Sequence, residues 1–109
     1  MRSETTREPE AGKGAEATQS ERRRQLQQLL GGLKRELAEL SKTHEEEAQS
    51  IAGFAALAAH EACRKEQDPR LLKLALDGLE TSIEQFEASH PRLVQIVGAI
   101  AQTLASLGI

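Results

Sequence analysis

Few residues in this chain could hold a metal, and one pair of them has a notable spacing. Glu87 and His90 form a Glu-x-x-His pattern, which in di-iron carboxylate bundles places two ligands on one helix face. Such a site needs two of these motifs and two further glutamates, so a partner chain would have to supply the second motif. Pro91 also draws His90 out of regular helix geometry. We therefore expect a helix junction in which His90 caps or hydrogen-bonds backbone groups; a metal site shared across a dimer is the alternative.

A second candidate for chemistry lies at His60 and Cys63. The run from His60 to Arg64 begins like a zinc-protease helix, but Arg64 stands where the second histidine ligand would be. We expect His60 to be solvated and Cys63 to be a small buried apolar side chain. Cys63 has no evident activating partner, and no phosphate-binding glycine pattern is present. The sequence thus predicts no enzymatic activity, no catalytic residue and no cofactor.

Composition excludes further classes of protein. Phe54 and Phe86 are the only members of the Phe, Trp and Tyr group, which argues against a β-sandwich and against base-stacking nucleic-acid modules. The net charge is −3, and the basic cluster Arg22 to Arg24 lies among glutamates, so we expect no nucleic-acid partner. A single cysteine cannot form an internal disulfide, which fits either a reducing compartment or indifference to redox conditions, and we expect the cytoplasm.

The segment from Leu93 to Ile109 is uncharged and bears on membrane association. Its 17 residues would span about 25 Å as a helix, which is shorter than the ~30 Å hydrocarbon core. Polar side chains such as Gln95 and Gln102 also line one side. We expect no membrane span, and peripheral membrane association remains an alternative.

The elements that must position these residues are helical. Residues 1–20 contain no Leu, Ile, Val or Phe and predict a disordered N-terminal tail, leaving residues 21–109 as a helical bundle domain. Apolar residues then recur at helical spacing in four segments. The predicted stripes are Leu26, Leu30, Leu33, Leu37 and Leu40; Ala48, Ile51, Ala55, Ala58 and Ala62, with Phe54 beside them; Leu72, Leu76, Leu79, Ile83 and Phe86; and Leu93, Val97, Ile100, Leu104 and Leu107.

The boundaries of the first two helices follow from the leucine spacing and from a capping pattern. We expect one helix from about Ser20 to Leu40, because its leucine stripe continues in phase through Gly31 and Gly32. Thr43 with Glu46 predicts a capping box for the second helix, which should run to about Gln67.

Proline and glycine mark the boundaries of the last two segments. Asp68-Pro69 predicts the start of the third helix, which should continue to the junction before Pro91. Ser89 or His90 should cap the fourth helix. Gly108 should end it in a left-handed conformation, with a hydrophobic contact from Ile109.

The run from Phe86 to Leu93 reads Phe-Glu-Ala-Ser-His-Pro-Arg-Leu, and the chain ends Leu107-Gly108-Ile109. These features resemble a family of small bacterial proteins known as domain of unknown function 4404, whose hallmark is a Phe-Glu-x-Ser-His-Pro stretch near the C-terminus. The resemblance is strongest from about Leu71 to Ile109. It implies a short helical bacterial protein and supplies no catalytic residue.

Two features of the helices suggest association with another protein. The apolar arc of the fourth helix is about twice as wide as a one-sided surface helix requires. An acidic stripe formed by Asp77, Glu80, Glu84 and Glu87 flanks the third helix. It is either a solvated flank or a docking edge for a basic partner helix, such as the 22–35 stretch of another copy.

Together these patterns predict an all-α antiparallel bundle of about four helices. We expect a homodimer formed through the fourth helix and the alanine face of the second. The expected function is a non-enzymatic helical interaction or scaffold module with a protein partner that the sequence does not identify. The residues expected to carry structure or interaction are Phe86, Ser89, His90, Pro91, Leu93, Val97, Ile100, Leu104, Leu107 and Gly108.

Overall fold

Four α-helices joined by short connections form an up-down-up-down bundle, with no strand among residues 2–108. The computed structural model describes the backbone of residues 2–108 and the side chains of residues 19–107. The elements are α1 (Arg2–Leu40), α2 (Glu45–Ala62), α3 (Pro69–Ser82), a short 3-10 helix (Glu84–Phe86) and α4 (Pro91–Gly108). The predicted all-α helical bundle is confirmed.

The helix α1 passes through Gly31 and Gly32 without a break, as its leucine spacing predicts. Leu26, Leu33 and Leu40 are buried in the core. Leu30 is half-buried and packs against the edge of the core. The in-phase leucine stripe therefore supplies enough packing to outweigh the two glycines, each of which costs about 1 kcal/mol relative to alanine.

Most side chains of the predicted tail are not among those that the structure describes. The helix α1 begins at Arg2, but the side chains of residues 1–18 are not among those described. The disordered tail over residues 1–20 and the division of the chain at that point stay predictions.

The predicted capping box at Thr43 and Glu46 is wrong. The N-cap of α2 is His44, whose side chain makes no capping hydrogen bond. The Thr43 hydroxyl instead donates back to the Leu40 carbonyl at 3.4 Å, so it belongs to the end of α1. The same carbonyl accepts the His44 backbone N–H at 2.7 Å.

The start of α3 agrees with the prediction, but its end does not. The Asp68 side chain accepts hydrogen bonds from the backbone N–H groups of Arg70 and Leu71. The helix ends at Ser82, where the Ser82 hydroxyl donates to the Leu79 carbonyl at 2.7 Å. A continuing α-helix would give that carbonyl to the N–H of Ile83. Ile83 instead bonds the Glu80 carbonyl, and the chain tightens into the 3-10 helix.

The core lies between two antiparallel pairs of helices. The most extensive packing is between α2 and α3 and between α1 and α4. The alanines predicted for the inner face of α2 are buried, and Ile51 is completely enclosed among them. Leu79 and Leu104 fill the same core from α3 and α4. Small side chains on α2 thus let its neighbours approach, while leucines from the other helices fill the volume.

Candidate interaction surface

The junction predicted to be structural lies at one end of the bundle. The Phe86 ring is buried and stands edge-on to the His90 ring, with ring centroids 5.4 Å apart. The His44 ring also stands edge-on to Phe86, at 5.2 Å, and the two histidine rings are 6.3 Å apart and edge-on to each other. Edge-on contact is the favourable geometry for such rings. The three rings tie the start of α2, the 3-10 helix and the start of α4 together.

Both histidines are oriented by the hydroxyl of the preceding residue. Thr43 Oγ lies 2.8 Å from His44 Nδ1, and Ser89 Oγ lies 2.9 Å from His90 Nδ1. The His90 carbonyl accepts the Val94 N–H at 3.2 Å, so His90 occupies the N-cap position before Pro91. The sequence analysis missed His44. Its signal was a hydroxyl-histidine pair directly before a helix, repeated at Ser89-His90.

Glu87 and His90 do not share a helix face. Glu87 lies in a turn after the 3-10 helix and is exposed, whereas His90 is half-buried against Phe86. Within the described residues, no group of three or more His, Cys, Asp or Glu side chains could hold a metal ion. The i, i+3 arrangement that motivated a metal site is therefore absent at this position.

The opposite end of the bundle has a polar corner that the sequence analysis missed. Glu61 is buried, with 3% of its surface exposed. Its carboxylate accepts from the Arg64 guanidinium at 2.8 Å and from the Asp68 N–H at 3.0 Å. Gln67 donates to the Ala62 carbonyl and to the Leu107 carbonyl of α4. The corner ends α2 at Ala62, five residues before the predicted end at Gln67.

The two residues singled out near this corner behave differently. His60 is exposed, as predicted. Cys63 is also exposed, so the prediction of a buried thiol is wrong. The reason is the early end of α2: Cys63 is its C-cap residue and lies outside the helical stripe that would have buried it.

The apolar residues predicted to line one face of α4 pack into the core of the same chain. Leu93, Val97, Ile100 and Leu104 are buried, and Leu107 is half-buried. Among the described side chains, the exposed positions of α4 carry no leucine, isoleucine, valine or phenylalanine; they are Pro91, Arg92, Gln95, Gly98, Gln102 and Ser106. The helix ends at Gly108. Gly108 is itself part of the helix, and no described glycine has a positive φ, so the left-handed stop predicted there is wrong. The predicted contact of Ile109 lies outside the described residues.

Large exposed apolar side chains are found instead on α2 and α3. They are Phe54, Leu57, Leu71 and Leu74, with 36%, 51%, 46% and 65% of their surface exposed. Phe54 and Leu74 line one shallow depression, of about 530 Å³, and Phe54 and Leu57 line another. We call these four residues the α2–α3 surface. Leu57, Leu71 and Leu74 lie outside the apolar stripes predicted for α2 and α3. Their positions in the sequence could therefore have predicted an exposed apolar surface.

Gly78 shapes this surface. The Phe54 ring lies directly over Gly78, and a Cβ atom at that position would be 2.4 Å from the ring. Because no side chain occupies the space, Phe54 packs across α3 beside the core and keeps one face in solvent. Phe54 therefore belongs to the surface as well as to the edge of the predicted stripe.

Comparisons with known proteins give one match. The family model described as domain of unknown function (DUF4404) matches residues 26–109. No curated protein and no solved structure is significantly similar to this chain. Among the described residues, no helix combines the length and the apolar character that crossing a membrane requires.

Proposed function

This chain belongs to the DUF4404 family, and from that membership and its geometry we propose that it is a helical protein-interaction module that acts without catalysis. The observation that carries the proposal is the α2–α3 surface. Single exposed leucines are ordinary on a protein surface, but a contiguous group of large apolar side chains marks a binding site. Here four of them lie on two adjacent helices.

The arrangement of the surface supports this role. Leu74 and Leu57 contribute little to the core, since at least half of each side chain is in solvent. A partner that covered them would remove apolar area from water, which is the main favourable term in most protein association. Aromatic residues are favoured at the centre of such interfaces, and Phe54 is already held in place over Gly78.

The histidines support a non-enzymatic role for the rest of the molecule. The hydroxyls of Thr43 and Ser89 engage Nδ1 of His44 and His90, and both rings rest on Phe86. These contacts join three chain segments at one end of the bundle. We propose that His44 and His90 fix the junction and do not take part in a reaction.

The proposal also places the protein in the cytoplasm. Cys63 is the only cysteine of the chain, and its thiol is exposed. An exposed unpaired thiol is best preserved in a reducing compartment. Fractionation of source cells with an antibody against the protein tests this placement, and recovery in a secreted or periplasmic fraction would contradict it.

Affinity capture with matched variants tests the interaction role. The tagged protein, a surface variant carrying Leu57→Glu and Leu74→Glu, and a control carrying Gln95→Glu and Gln102→Glu on α4 are incubated with a lysate of source cells. The control adds the same charge at exposed positions outside the surface. We expect proteins that are retained by the wild type and the control but lost by the surface variant. Identical retention by all three proteins would overturn the proposal.

A further inference from the structure

We draw no further inference here: the strongest candidate, the apolar α2–α3 surface with the depression beside Phe54 and Leu74, belongs to the site already described, and nothing in the structure shows what covers it.

Discussion

The two helix pairs of this bundle use their apolar residues differently. On α4 the large apolar side chains are buried or half-buried, and its exposed positions are polar or small. On α2 and α3 the inner stripes are equally well buried, but Phe54, Leu57, Leu71 and Leu74 are added on the outside. Only the first arrangement is needed for a stable monomer. The apolar width of α4 serves folding, whereas for the outer residues of α2 and α3 we propose a role in association.

The largest expected difference is between matched leucines of the two pairs. Leu104 on α4 is fully buried, and Leu74 on α3 is mostly exposed. Leu104→Ala should lower the free energy of unfolding by about 2–5 kcal/mol, through lost burial and a cavity. Leu74→Ala should change it by less than about 0.5 kcal/mol. Urea unfolding followed by far-UV circular dichroism at low protein concentration measures both. Similar losses would mean that the surface residues stabilise the monomer.

The next largest effect on the free energy of unfolding is expected for Glu61, which belongs to the polar corner at one end of the bundle. Glu61→Ala removes the acceptor for the Asp68 N–H and for Arg64. We expect a loss of about 1–3 kcal/mol in the free energy of unfolding, because partly buried donors lose their partner. The control is Glu87→Ala, at an exposed position, with an expected change below about 0.5 kcal/mol. Equal effects of the two substitutions would show that the corner does not hold α2, α3 and α4 together.

Substituting glycine by alanine should change the free energy of unfolding differently in the two helix pairs, by about 1 kcal/mol. A Cβ atom at Gly31 on α1 would meet no atom within 4 Å, so Gly31→Ala should raise the free energy of unfolding by about 1 kcal/mol. At Gly78 the Cβ atom would overlap Phe54. Gly78→Ala should therefore gain nothing or lose up to about 1 kcal/mol as the ring is displaced. Changed NMR shifts of the Phe54 ring in the second variant alone would confirm the cause.

The smallest effect on folding is expected for the charges at the rim. Lys73 pairs with Asp77 at 3.2 Å on α3, and Lys42 pairs with Glu39 at 3.1 Å beside α1, with both pairs well exposed. Lys73→Ala and Lys42→Ala should each change the free energy of unfolding by less than about 0.5 kcal/mol. Urea unfolding measures both, and a loss above about 1 kcal/mol in either variant would mean that its exposed ion pair stabilises the fold.

Local signals in the sequence were sufficient for the helices and most of the core. The leucine spacing of α1, the alanine stripe of α2 and the cap at Asp68 each depend on residues three or four positions apart. Such patterns follow from helix geometry and need no knowledge of the partner helix. The resemblance to the DUF4404 family is also confirmed, since the family model matches residues 26–109.

Competition between hydrogen-bond partners decided the ends of the helices. At the end of α3 the Leu79 carbonyl accepts from the Ser82 hydroxyl, and beyond the end of α2 the Glu61 carboxylate accepts from the Asp68 N–H. In each case a side chain offers a backbone group an alternative to its helical hydrogen bond, as a donor at Ser82 and as an acceptor at Glu61. Packing chooses between them, and residue spacing does not record the choice.

The sequence by itself determined an all-α chain, the faces of its helices and the identity of most core residues, because those follow from local periodicity. Only the tertiary structure decided which apolar residues remain outside. Whether Leu57 or Leu74 is covered depends on where α1 and α4 lie, and that position is set by packing among all four helices. The tertiary structure also decided that His44, Phe86 and His90 form one cluster of rings, since His44 and His90 are more than 40 residues apart in the chain.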